Sequence, residues 1–154
     1  MDASAQGAGG LRLSVEDDPP AADLQALVSG LVGFNDAHAG PEGWRRLAVL
    51  VRADDGALVG GLLGFTHWDW LFVGHLWLPE ALRGRGMGRE LLLRAEREAI
   101  ARGCRHAHLD TFSFQARGFY ESLGYEVFGA LDEYPPGHTR YFLRKAVLSA
   151  NAPG

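Results

Sequence analysis

Leu78-Pro79-Glu80-Ala81-Leu82-Arg83-Gly84-Arg85-Gly86-Met87-Gly88-Arg89 runs directly into Glu90-Leu91-Leu92-Leu93. Three glycines alternate with residues that include two arginines, immediately before an amphipathic pattern. Glycine lets backbone N–H groups turn toward a ligand without side-chain interference. The first turn of a helix adds free N–H donors and the positive end of its dipole. The stretch therefore has the build of a phosphate cradle between a strand and a helix.

The pattern on either side supports this. Trp68 to Leu78 is apolar almost throughout, as expected of a strand covered on both faces. After the glycines, Leu91, Leu92, Ala95, Ala99 and Ile100 mark one face of a helix from about Gly88 to Arg102. Arg94, Glu96, Arg97 and Glu98 are expected to face water. Gly103 stands where a terminating glycine belongs.

Upstream, residues 1–10 are small and Gly/Ala-rich and read as a flexible leader, with one domain over 11–148. Leu11 to Val15 alternates like a strand, and Ala21 to Val32 has helical spacing. Gly33 to Gly43 has room for a short second helix. Trp44–Val51 and Ala57–Thr66 read as strands joined by the hairpin signal Asp54-Asp55-Gly56. Downstream come a strand at His106–Thr111, a helix at Phe114–Leu123 capped by Gly124, and strands at Tyr125–Tyr134 and Thr139–Val147. Pro135-Pro136-Gly137-His138 connects the last two strands as a stiff turn. The chain reads as a single α+β unit.

Composition narrows the function classes. At 154 residues with 47% hydrophobic and 22% charged residues, the chain is long enough to bury its own core. A net charge of −4 argues against a nucleic-acid binder, which carries a basic face. One cysteine, Cys104, excludes an intrachain disulfide framework and suits a reducing cytoplasm. The N-terminal residues have no basic region and no long apolar run, so neither a signal peptide nor a membrane span is expected. Fourteen arginines against one lysine read as genome composition rather than mechanism. Asn35-Asp36-Ala37-His38 would bind zinc only with further converging ligands, which the spacing does not supply, so no metal is expected.

Two segments in fixed order resemble the GNAT N-acetyltransferase family. Arg83-Gly84-Arg85-Gly86-Met87-Gly88 matches its Arg/Gln-x-x-Gly-x-Gly/Ala signature, between the central strand and the long helix. Ala116-Arg117-Gly118-Phe119-Tyr120-Glu121-Ser122-Leu123-Gly124-Tyr125 resembles the family's Ala-x-x-hydrophobic-Tyr-Glu-x-x-Gly-Phe/Tyr segment. Other phosphate motifs fail on residues: no Gly-x-x-x-x-Gly-Lys-Ser/Thr occurs, and Arg89 stands where a dinucleotide fingerprint starting at Gly84 needs glycine. The resemblance implies a mixed central sheet of about 6–7 strands flanked by helices, with a β-bulge in the central strand. It also implies acetyl-CoA as cosubstrate. Arg83, Gly84, Arg85, Gly86, Met87, Gly88 and Arg89 then hold its pyrophosphate, and the backbone of Leu76, Trp77 and Leu78 pairs with its pantetheine arm. Ser113 replaces the asparagine that contacts the coenzyme in many relatives. Two-chain assembly is common in this fold, and a homodimer is left open.

By the same resemblance, Tyr120 is the acid that protonates the departing thiolate. The base has no fixed position in the family; the candidates, in order, are His75, Asp110 and His108, with a water relay as the alternative. His108 shares strand parity with Asp110. Around Phe65–Phe72, alternation sets Thr66, Trp68, Trp70 and Phe72 on one face and His67, Asp69 and Leu71 on the other. Rings with Asp69 as counter-charge would line an acceptor pocket, closed by Phe34, Asn35, His38, Glu133, Tyr134, His138 and Tyr141. The expected activity is acetyl transfer to a primary amine of a small molecule. The alternatives are a protein or peptide acceptor, or a non-catalytic acyl-CoA-binding module.

Overall fold

A computed structural model describes residues 6, 7 and 9–149. Most of the expected leader, residues 1–5 and 8, lies outside them. Contacts cluster into two units, Met1–Pro41 and Glu42–Gly154.

In the first unit, β1 (Gln6–Gly7) and β2 (Leu11–Arg12) form a two-stranded antiparallel ladder of their own. The strand expected over Leu11–Val15 is therefore shorter and belongs to no larger sheet. The α1 helix (Ala21–Ala39) runs unbroken for 19 residues. It absorbs the segment expected to hold a second helix, although Gly30 and Gly33 lie inside it. The apolar spacing of Leu24, Leu27, Val28 and Leu31 is that of a helix, yet no residue of α1 is buried.

The second unit is built on one sheet of six strands. These are β3 (Arg45–Arg52), β4 (Leu58–His67), β5 (Trp70–Trp77), β6 (His106–Phe112), β7 (Glu126–Asp132) and β8 (Thr139–Lys145). Their spatial order is β3-β4-β5-β6-β8-β7. All pairings are antiparallel except β5 with β6. That parallel pair needs a crossover, and the long α2 helix (Met87–Ala101) supplies it. The α3 helix (Arg117–Ser122) joins β6 to β7. The family-implied fold is thus present: a mixed sheet with helices and a bulge in its central strand.

One sheet face packs on α2. Leu47, Leu62, Leu71, Val73, Leu109 and Leu143 point there and are buried with Leu91, Leu92, Ala95 and Ala99. Fully burying a leucine stabilises by about 1.5–3 kcal/mol, so this layer carries much of the unit's stability.

Three expectations change. Trp68 and Asp69 have φ of 41° and 66° and form a two-residue turn between β4 and β5, with His67 opposite Trp70. Both central residues at positive φ is the type I′ pattern that suits the twist of a hairpin. The turn resets alternation, so Phe65, His67, Trp70 and Phe72 share one face, while Thr66 and Leu71 are buried on the other. Asp69 pairs with Arg105 at 2.9 Å, away from the cleft described below. Glu96 does not face water: it is 2% exposed, because it lies on the Leu92–Ala95–Ala99 stripe. Phe114 to Ala116 is a turn rather than helix, with the Gln115 N–H donating to the Phe112 carbonyl at 2.8 Å.

Candidate active site

The central strands part in the middle of the sheet. β5 pairs with β6 from Trp70↔His106 to Val73↔Leu109 and no further. At that point β5 carries an extra residue: Leu63 faces His75 and Gly64 faces Val73, which leaves Gly74 as a bulge. A bulge bends its strand and interrupts the ladder. A one-residue shift also turns every later side chain to the other face. Unbroken alternation would point His75 into the α2 core with Leu71 and Val73. The bulge sends it to the opposite face, and it is exposed. The second half of β5 is not covered on both faces, and Trp77 is 59% exposed.

The gap holds a cleft of about 1020 Å³. Its walls are Val73–Leu78 on one side and Asp110–Phe112 on the other, with Met87, Phe119 and Tyr120 toward the helices. Arg140 lines it as well.

The glycine turn closes one end. Gly84 and Gly86 both have φ of 75°, a left-handed conformation that costs other residues roughly 1–2 kcal/mol. Gly86 is the N-cap of α2 and has no side chain to cap the helix. The first intrahelical bond runs from Glu90 N–H to the Gly86 carbonyl at 3.1 Å, so the N–H groups of Met87, Gly88 and Arg89 precede it. Arg83 Nε donates to the Leu78 carbonyl at 2.9 Å and braces the turn against the end of β5. A Cβ on Gly88 would meet Phe119 at 3.5 Å and Leu78 at 3.7 Å, which is ordinary contact, so space does not force glycine there.

Of the expected cofactor residues, Leu76, Trp77, Leu78, Arg83, Gly84, Gly86, Met87, Gly88 and Arg89 all line the cleft. Arg85 and Ser113 are not among the lining residues. Ser113 Oγ instead accepts from Thr139 N–H at 3.1 Å and lies 3.3 Å from His138 Nδ1.

Tyr120, His75 and Asp110 also line the cleft. Burial, and then the Asp110 carboxylate, push the Tyr120 phenol above its ordinary range. Asp110 Oδ1 accepts from Arg140 Nε at 2.9 Å and lies 2.8 Å from Nη2. His108 shares the face of Asp110 but lies outside the cleft, its ring against Trp70 and Phe72 at 5.5 and 4.8 Å. Burial, then nearby His67, lowers its pKa. Glu133, Tyr134, His138 and Tyr141 are not among the lining residues, and Phe34, Asn35 and His38 belong to the first unit.

The model of the GNAT acetyltransferase family matches residues 16–125, most of the chain. The chain belongs to the GNAT acetyltransferase family. This GNAT enzyme is 39% identical over 121 residues to acetyltransferase Atu2258 of Agrobacterium fabrum, covering 79% of this chain and 88% of that one. It is 43% identical over 91 residues to the blasticidin-S acetyltransferase of Streptomyces morookaense, covering 58% of this chain and 67% of that one. Its fold matches a crystal structure from Agrobacterium tumefaciens, described as an acetyltransferase, at a TM-score of 0.83 and 36% identity. That match covers 88% of this chain and 98% of the other. The protein is thus an acyltransferase, of a family whose members use acetyl-CoA.

Sequence reasoning missed two groups in the GNAT cleft. Gln115 lines it, and its Oε1 accepts from Phe112 N–H at 2.9 Å and Thr111 Oγ1 at 3.1 Å, which fixes the turn after β6. Arg140 was the larger omission. A basic residue in the last strand sends no local signal, because only the β6–β8 register brings it beside Asp110.

Proposed function

We propose that this GNAT enzyme transfers the acetyl group of acetyl-CoA to the primary amine of a small molecule. Support comes from the single cleft that joins the glycine turn, the bulged strand and a charged pocket on the opposite sheet face. Acetyl-CoA supplies the acyl group already activated as a thioester. N–H groups from Gly84 to Arg89 bind its pyrophosphate, with Arg83 bracing the turn. Main-chain groups of Leu76, Trp77 and Leu78, past the last β5–β6 pair, bind the pantetheine arm as an added strand. Such pairing uses backbone only, so apolar side chains are compatible with it.

Tyr120 donates the proton to the departing sulfur. Its raised pKa keeps that proton in place at neutral pH. Reference values near 10 for tyrosine and 8.5 for a thiol make the transfer uphill by about 2 kcal/mol or more. The step is productive inside a prearranged hydrogen bond, with the phenolate reprotonated at once. On the other side, an ammonium must lose a proton before its lone pair can attack. His75 is the first candidate, since the bulge turns it to the acceptor face. Asp110 is second, because taking a proton means loosening its pair with Arg140.

A small acceptor fits a pocket bounded by Phe112, Phe114, Asp110 and Arg140. The relative named for blasticidin S, a small molecule, points the same way. Among the described residues, no helix is long and apolar enough to cross a membrane, and the lone cysteine, Cys104, is buried. Both suit a cytoplasmic enzyme. The test is thiol release from acetyl-CoA across polyamines, amino acids, aminoglycosides and N-terminal peptides. Release with small amines is expected. Release with peptides alone would move the acceptor class to proteins.

A further inference from the structure

Arg140 is held in the cleft by more contacts than a structural ion pair requires. Its Nε and Nη2 meet Asp110 Oδ1 at 2.9 and 2.8 Å, and its Nη1 donates to Tyr134 Oη at 3.0 Å. Three rings surround the guanidinium: Tyr134 at 5.0 Å, Phe142 at 5.2 Å and Phe112 at 5.5 Å. A guanidinium has five N–H donors in a planar fork. Hydrogen bonds engage Nε and Nη1, and Nη2 stands in ion-pair contact, which leaves further N–H groups on a guanidinium whose orientation is already fixed. The side chain remains 26% exposed and borders the cleft.

Position gives this its meaning. Asp110 stands opposite Phe142 and Phe112 opposite Arg140, so both charged residues lie on the face that the bulge gives to His75. On the proposed reading, on which this inference rests, that is the side from which the acceptor arrives. An acceptor that were only a cation would meet a fixed guanidinium in the cleft.

The geometry points to an acceptor that carries a carboxylate as well as its amine, with Arg140 as the residue that binds the carboxylate. The rigid fork matches a carboxylate in two bonds, and the ring cage removes the ordering cost that a free arginine would incur. Asp110 then acts as a positioning residue. It holds Nε and Nη2 from behind, so the remaining N–H groups are presented outward. Its charge also balances Arg140, so the pocket favours a zwitterion over a simple anion. The amine is left for His75.

The experiment pairs each amino acid with its amide, which removes the charge and keeps the shape. Pairs with two to five bonds between amine and carboxylate are offered to the full-length protein saturated with acetyl-CoA. Thiol release gives kcat and KM, and thermal unfolding with coenzyme A in place of acetyl-CoA gives binding without turnover. For at least one pair the acid is expected to have a KM at least tenfold below that of its amide. Arg140→Met should raise the KM of the acid ten- to a hundredfold more than it raises that of the amide. Tyr134→Phe, a milder change, should raise only the KM of the acid, by a few-fold, with kcat unchanged. Equal KM values in every pair, equal losses for acid and amide in both variants, or no response to any acid in either readout would overturn the carboxylate site. Absence of stabilisation by acetyl-CoA itself would instead overturn the functional reading beneath it.

Discussion

Lys145, the only lysine in the chain, reaches across the core to Glu96, placing Nζ 3.0 and 3.1 Å from the two carboxylate oxygens. Tyr125 Oη donates to the same carboxylate at 2.9 Å. Glu96 lies on α2 and Lys145 at the end of β8, so the pair ties the crossover helix to the far side of the sheet. Lys145 is thus a structural cation.

Breaking one side of a buried pair strands the other charge. Lys145→Met should therefore cost about 3–5 kcal/mol in unfolding free energy, measured by urea denaturation. Lys145→Met combined with Glu96→Leu should recover much of that loss. If the single variant loses less than 1 kcal/mol, Glu96 is not held by Lys145 as described.

Alkaline stability follows from Tyr125. Burial, and then Glu96, hold its phenol far above the ordinary range. Its unfolded value is about 10, so above that pH the unfolded chain sheds a proton that the native chain keeps. The contribution is complete below about pH 10 and is lost as pH rises, with a slope of up to about 1.4 kcal/mol per pH unit from this group. Tyr125→Phe should flatten that part of the stability–pH curve, whatever it does to stability at neutral pH.

At the glycine turn, a Cβ on Gly86 meets no neighbouring atom, but Gly86→Val must occupy φ of 75°. It should lower stability by roughly 1–2 kcal/mol. Acetyl-CoA at a hundred times its Kd should stabilise the parent by about 2.7 kcal/mol, and the variant by almost nothing. Thermal unfolding with and without acetyl-CoA reads both effects. A full ligand shift in the variant would move the pyrophosphate site elsewhere.

Tyr120→Phe keeps the ring that packs on Phe119 and Tyr125 and removes only the hydroxyl. Turnover should fall by about 10²-fold or more, in the range of a lost general acid, with the KM for acetyl-CoA nearly unchanged. Parent-like kcat would assign the proton to another donor.

The glycine turn and the helix it opens were legible because their signals are local. Gly84 and Gly86 announce left-handed backbone, and the stripe from Leu91 to Ala99 announces the helix they open. Tyr120 sits in a contiguous motif. The faces of the central strands were not legible in this way. Trp68-Asp69 is a turn written without glycine, so alternation carried across it assigned Trp68 and Asp69 to a strand and Thr66 to the wrong face. Glu96 looked like one more surface charge because its partner is 49 residues away.

From its sequence alone this protein had its family, its element order from β3 onward and its glycine turn, since each depends on residues near one another in the chain. Tertiary structure decided the rest. A bulge at Gly74 turned His75 out of the core, and the β6–β8 register set Asp110 against Arg140. Pairing between distant strands is governed by their mutual fit and by one-residue shifts, and a single chain's periodicity does not encode either.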